Sequence, residues 1–201
     1  MDCAKLLHET HFVECILAPE YDPEALEMMK KKKARRLLAL PDILTGRLDQ
    51  EMVAKFVHGG LLYQSADYHE ISRDDLKVVT EKQPTEEEIE SMLFAWKMVK
   101  HVKSNAILIA KGNATVGIGM GQTSRVDASE LAVKRAGDRA KGAVLASDAF
   151  FPMPDGVEVA TRAGVTAIIQ PGGSKGDQDA IDAANKAGVS MVFTGIRHFK
   201  H

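Results

Sequence analysis

AVLASDAFFPMPDGVEVATRAGVTAIIQPGGSKGDQDAIDAANKAGVSMVFTGIRHFKH, residues 143 to 201, decides the fold. Three short apolar runs, 143 to 147, 165 to 170 and 189 to 194, alternate with two helix-forming stretches, 155 to 163 and 177 to 187. That order predicts a βαβαβ unit, with parallel strands joined by right-handed crossovers. The two helix ends rhyme, Ala163-Gly164-Val165-Thr166 against Ala187-Gly188-Val189-Ser190, and each glycine suits a helix C-terminus. Two copies reflect repeated packing rather than a solenoid, which needs roughly three or more. With parallel strands, the loops 148 to 154, 171 to 176 and 195 to 201 fall together on one edge of the sheet, where open α/β sheets bind ligands.

Upstream, 105 to 111 and 114 to 120 are two apolar runs around Gly112-Asn113, which predicts a hairpin. A polar, Ala-rich helix is expected over 127 to 141. Thr85 and Glu88 have capping-box spacing, and the helix that follows carries Ile89, Leu93, Trp96 and Val99 on one face. Further back, 12 to 18 reads as a buried strand and Asp22 to Lys33 as a helix with Pro23 in its first turn. Another apolar run covers Arg36 to Leu40, and Met52 to Val57, Gly60 to Gln64 and Leu76 to Thr80 are weaker elements. The expected division is an N-terminal α/β segment over 1–80 and a larger lobe over 81–201.

The composition, 45% hydrophobic and 27% charged over 201 residues, is that of a globular chain able to bury a core. No apolar run approaches the roughly 20 residues that cross a bilayer, and no secretory pattern follows Met1, so a cytoplasmic protein is expected. A net charge of −2 leaves no basic footprint for nucleic acid. The basic run Lys30 to Arg36 follows acidic Asp22 to Glu27 and suits a helix C-terminus. Cys3 and Cys15 have neither redox nor metal spacing and are read as reduced thiols. The histidines lack the H-x-E and P-C-x-x-C arrangement of a zinc deaminase, and no metal is expected.

Several residues carry two readings. Phe150 is packing or a platform for a flat heterocycle, and Asp148 and Asp155 are caps of the helix 155 to 163 or, for Asp155, a ligand contact. Gly172-Gly173-Ser174 is an anion-binding turn before a helix or an ordinary tight turn. Gly117, Gly119 and Gly121 lack dinucleotide-loop spacing and indicate close backbone packing. Arg125 holds a phosphate with its planar fork or serves a cap or ion pair. Arg197, His198 and His201 are either docked at the sheet edge or a solvated tail.

VKSNAI, GIGMGQTSRVD, ASDAFFPMPDG, AGVTAIIQPGGS and TGIRHFKH, in this order and spacing, resemble the end of the AICAR transformylase family, whose domain is usually fused to an IMP cyclohydrolase. The likeness extends upstream to ILAPEYDPEALEMMKKKK and KVVTEKQPT. It implies a cytidine-deaminase-like, three-layer α/β/α lobe with a mixed, mostly parallel sheet. It also implies formyl transfer from 10-formyltetrahydrofolate to the AICAR nucleotide at a homodimer interface. By the same resemblance Asn105 and His201 are catalytic, while Arg125, Phe150 and Arg197 bind the nucleotide. Val126, Asp155, Ser174 and Lys175 contact the folate. The Lys-His pair that the family uses lies in a first lobe upstream of every motif found here. The resemblance therefore implies either a transformylase half that needs a separate lobe, or a non-catalytic nucleotide- or folate-binding module.

Overall fold

The computed structural model describes residues 1–10, 12–44 and 52–201, which form two compact units, Met1–Tyr68 and His69–His201. Residues 69 to 80, expected with the first segment, belong to the second unit.

In the first unit, α1 (Asp2–Thr10) is followed by β1 (Cys15–Ala18), α2 (Pro23–Lys30) and β2 (Arg36–Ala39). Asp22 caps α2 by accepting hydrogen bonds from the backbone N–H groups of Glu24 and Ala25 at 3.0 and 3.3 Å, and Pro23 sits where its missing N–H costs nothing. β1 and β2 pair in parallel, and Ile16 and Leu37 pack beside Ala4, Ala25 and Met29. The strand expected to be buried is half-exposed: β1 has a partner on one edge, and Leu17 faces outward. A hairpin follows, β3 (Met52–Val57) paired antiparallel with β4 (Gly60–Ser65), and every residue in both strands is exposed. Two isolated strands bury too little to be stable alone, and Phe56, Leu61, Leu62 and Tyr63 all reach solvent here.

The second unit is built on a six-stranded sheet, in the order β5-β10-β9-β8-β6-β7. Its strands are β5 (Lys77–Val78), β6 (Ile107–Lys111), β7 (Ala114–Gly119), β8 (Val144–Ser147), β9 (Ala167–Gln170) and β10 (Ser190–Phe193). β8, β9 and β10 run parallel, as the alternating sequence predicts, while β5, β6 and β7 join antiparallel. The sheet is therefore mixed and not mostly parallel, because three of its five strand pairings are antiparallel.

Helix α3 (Glu86–Val99) covers one face of the sheet; α4 (Arg125–Ala136), α5 (Asp155–Arg162) and α6 (Asp177–Lys186) cover the other. Side chains alternate between the faces. Ile107, Ile109, Leu145, Ile168 and Met191 meet α4, α5 and α6, whereas Leu108, Ala146, Ile169 and Val192 meet Met92, Ala95, Trp96 and Val99 of α3. Strands covered on both faces read as unbroken apolar runs, which is why they stand out in sequence.

Local rules operate as expected in this unit. Thr85 and Glu88 form a reciprocal capping box, each side chain accepting from the other's backbone N–H at 3.2 and 2.9 Å. The buried stripe of α3 runs through Met92, Ala95, Trp96 and Val99, so Ile89 and Leu93 lie only half-buried at its margin. After α5, Val165 N–H donates to Ala160 O and Gly164 N–H to Thr161 O. After α6, Val189 and Gly188 repeat this pattern onto Ala184 and Asn185. Both ends are Schellman motifs, and the φ values of Gly164 and Gly188, +89° and +66°, are left-handed as the motif requires. The rhyme in sequence is thus one helix-ending device used twice. Helix α4 begins at Arg125, earlier than expected, because Ser124 accepts from Asp127 N–H as its cap.

Candidate active site

Parallel pairing places the ends of β8, β9 and β10 along one edge, and the antiparallel neighbours bring the start of β6 and the end of β7 to the same edge. Asn105 precedes β6, Arg125 opens α4 beyond β7, Asp148 follows β8, and the tail 194–201 follows β10.

Asp148 is the centre of this edge. It is 0% exposed, and its Oδ1 accepts from Ala106 N–H at 3.1 Å and from Arg125 Nη1. Its Oδ2 accepts from Ser104 Oγ, and its backbone carbonyl accepts from His198 N–H at 2.9 Å. It does not cap the helix beginning at Asp155: Pro154 holds that cap position, and Asp155 is already the first helical residue. The Asp155 carboxylate, exposed, accepts from Gly156 N–H at 2.7 Å.

Arg125 is buried at 7% exposure. Its Nη1 donates to Ala106 O at 3.1 Å and to Asp148, and its Nη2 donates to Asn105 Oδ1 at 3.0 Å. Of the readings open for Arg125, the geometry matches the ion pair, with the fork facing protein groups. Because guanidinium only donates, this contact fixes which end of the Asn105 amide carries oxygen. Asn105 Nδ2 donates to Gln122 O at 2.9 Å and retains a second N–H.

The paired phenylalanines divide. Phe151 is fully buried against α5, so closely that a Cβ on Gly156 would lie 2.8 Å from its ring. Phe150 is half-buried and faces the tail, with the exposed Arg197 guanidinium 5.9 Å from its ring centre and 5.8 Å from that of Phe199. Phe199 in turn stacks on His201 at 5.8 Å. The tail is docked rather than frayed: His198 is 1% exposed with its ring 4.7 Å from that of Trp96, and Ser104 N–H donates to Lys200 O at 2.9 Å.

The Gly-Gly-Ser turn has an occupant from its own chain. Asp177 accepts from Gly173 N–H at 2.7 Å and from Ser174 N–H at 3.1 Å. Those amides point at an anion, as an anion site would require, but the anion is the side chain of the first residue of α6. The turn also lies beside the Phe-Phe-Pro loop, since a Cβ on Gly176 would approach Pro152 O within 2.6 Å. Val126 and Ser174 are half-buried, and Lys175 is exposed. Arg125 thus bonds Asn105, Arg197 lies against Phe150 and, through Phe199, reaches His201, and the bonds of Asp148 to Arg125 and His198 N–H join the two sets. Sequence reasoning missed Gln170, whose buried Oε1 accepts from Phe151 N–H at 3.2 Å, and the hub role of Asp148. Buried polar residues at strand ends, Asp after VLAS and Gln after AII, were the available signal.

In the second unit a shallow groove beside α3 is lined by Arg73, Leu76, Val78 and Ile89, and in the first unit another lies on α2. No cluster of His, Cys, Asp and Glu fit to hold a metal is found among the described residues. Nor is any described helix long and apolar enough to cross a membrane.

The sequence profile of the AICARFT/IMPCHase bienzyme matches residues 1–135. This chain belongs to that family. It is 56% identical over 190 residues to the bifunctional purine biosynthesis protein PurH of Oceanobacillus iheyensis, covering 94% of this chain and 37% of that protein. The PurH proteins of Anoxybacillus flavithermus and Bacillus subtilis are 55% and 50% identical over 198 residues, 98% of this chain and 38% of each relative. Similarity therefore continues past residue 135 into the strand-end loops. The chain spans little more than a third of the length of these relatives. Among solved structures, Acinetobacter baumannii RibD, form 2, resembles 48% of this chain and 31% of that one at 16% identity and a TM-score of 0.37, too loose a likeness to bear on function.

Proposed function

We propose that this chain is the C-terminal half of a formyltransferase that moves a formyl group from 10-formyltetrahydrofolate to the AICAR nucleotide in purine synthesis. Its second unit is read as a cytidine-deaminase-like lobe, and the chain acts in the cytoplasm with no metal. The carrying observation is the Asn105 amide, oriented by Arg125 at the same strand-end edge as Phe150 and Arg197.

The chemistry follows from the groups at that edge. The carboxamide-flanked amine of the acceptor is a weak nucleophile; as it adds to the formyl carbon, negative charge grows on the formyl oxygen. A preset N–H donor stabilises that oxyanion most, and this role is assigned to the second Nδ2 hydrogen of Asn105, with His201 a second donor. Collapse expels the folate nitrogen, which takes up a proton, while the amine surrenders one to a base. The base is assigned to a Lys-His pair on another lobe, supplied by a separate chain, and the site to a homodimer interface. An exposed apolar hairpin, unable to support itself, fits a chain that works in an assembly.

Phe150 and Arg197 are assigned to the base and phosphate-bearing parts of the nucleotide, and Val126, Asp155, Ser174 and Lys175 to the folate. Arg125 serves the nucleotide by setting Asn105, since its own fork faces Asp148 and Ala106. A folate carboxylate approaching the Gly-Gly-Ser turn competes with Asp177 for the same amides.

The test mixes this chain with a first-lobe protein carrying the Lys-His pair and follows tetrahydrofolate release. Formylation only in the mixture is expected, lost in Asn105→Ala and Arg197→Ala while both remain folded. Nucleotide binding without turnover in every mixture identifies a non-catalytic binding module instead. Wild-type AICAR binding by Arg197→Ala removes the nucleotide assignment.

A further inference from the structure

Asp148 bonds to three separate segments of the candidate site. Through Oδ1 it holds Arg125, which holds Asn105; through Oδ2 it holds Ser104. Ser104 Oγ also accepts from Lys200 N–H at 3.2 Å, and Ser104 N–H donates to Lys200 O at 2.9 Å. The Asp148 carbonyl receives His198 N–H at 2.9 Å, one residue past Arg197. Asp148, fully buried, thus joins the turn before β6 and the first residue of α4 through its carboxylate, and the C-terminal tail through its carbonyl and through Ser104.

We infer that Asp148 is a positioning residue that locks the Asn105 amide and the Arg197-bearing tail into one unit. The inference rests on the site reading above and adds a residue to it that does not contact substrate. Buried carboxylates are stable only when their oxygens are satisfied, and all of these partners are donors. The Asn105 end and the tail end are joined through Asp148 and through Ser104, whose Oγ bonds Asp148 and Lys200 alike. Loosening one end therefore loosens the other, at the level of about one hydrogen bond, or roughly tenfold in an opening equilibrium.

Two variants separate this from general stabilisation. Ser104→Ala removes the Oγ link to the tail but leaves the acceptor of His198 N–H intact; Asp148→Asn removes the charge that fixes Arg125 while keeping the shape. Amide hydrogen exchange at His198 is expected to quicken about tenfold in both, with the amides of Leu145 and Ile168 unchanged, and AICAR is expected to bind about tenfold more weakly. Wild-type exchange at His198 in Ser104→Ala overturns the inference, whether or not Asp148→Asn folds. Equal acceleration of the core amides also overturns it, because that is loss of global stability. Selective tail exchange together with no AICAR binding even by the unsubstituted chain upholds the tether and defeats only the nucleotide reading.

Discussion

Gly119→Ala offers the sharpest check on how α4 is seated. Gly119 has an ordinary φ, so alanine is not excluded by backbone conformation, and in a strand the exchange alone is worth about 0.5–1 kcal/mol of added stability. Space decides otherwise. A Cβ there would sit 1.9 Å from Ala128 O and 2.7 Å from Ala128 C, both helix backbone atoms, where ordinary contact begins at 3.4 Å. Helix and strand must separate by about 1.5 Å, which opens the interface of Ala128, Ala132 and Ala136 against the sheet. Overpacking of this kind costs about 1–3 kcal/mol, and with immovable backbone on both sides the upper part of that range is expected. Urea unfolding followed by the fluorescence of Trp96, the chain's single tryptophan and part of the second unit's core, isolates that unit. Gly112→Ala is the control, with a left-handed φ of +55° but open space around it, and it should lose only the roughly 1–2 kcal/mol of a left-handed alanine. A Gly119→Ala stability within about 0.5 kcal/mol of the parent would refute the close packing of α4 on β7.

Three further outcomes are expected. Thr85→Ala removes one half of the capping box and should lower the stability of the second unit by about 1 kcal/mol, read from the same urea curves. Arg125→Met leaves Asp148 buried without its cation and should cost about 3–5 kcal/mol. The Arg125→Met, Asp148→Leu double variant should cost less than the two single changes combined, since no charge is then stranded, and a strictly additive result would deny the pairing. Acid and alkali should each erode stability weakly. Glu86 is held below the usual carboxylate range by hydrogen bonding to Arg73, and Asp138 by Lys141. These carboxylates add stability above their unfolded titration and lose it as pH falls through the lowered folded one. Lys141, raised by Asp138, adds stability below its unfolded titration and loses it as pH rises through the raised folded one. All of these groups are fully exposed, so added salt should flatten both limbs in thermal melts.

What could be read from the residues was what depends on neighbours along the chain. The capping box at Thr85 and Glu88, the Gly112-Asn113 turn and the matching ends at Gly164 and Gly188 all close over a few residues, and each is found as read. Sheet strands covered on both faces announce themselves as apolar runs. Asp148 could not be placed this way, because its donors, Ser104, Ala106, Arg125 and His198, come from separate segments brought together only by the strand order. From the sequence it looked like a cap for the nearest helix, which is what a local rule returns. The Asp177 side chain in the Gly-Gly-Ser turn was, by contrast, within local reach: a carboxylate three residues past Ser174 is spaced to take its N–H.

These two aspartates explain why the edge carries polar residues that look like ligand contacts and yet face inward. A turn of free amides and a buried arginine fork are costly until something negative satisfies them. Asp177 fills the turn and Asp148 fills the fork, so the empty edge keeps its shape. What then remains accessible, the half-buried Phe150 ring and the exposed Arg197 guanidinium, is a flat apolar surface beside a cation. Their spacing is set by the Arg197–Phe150 contact and by the tail's bond from His198 N–H to the Asp148 carbonyl.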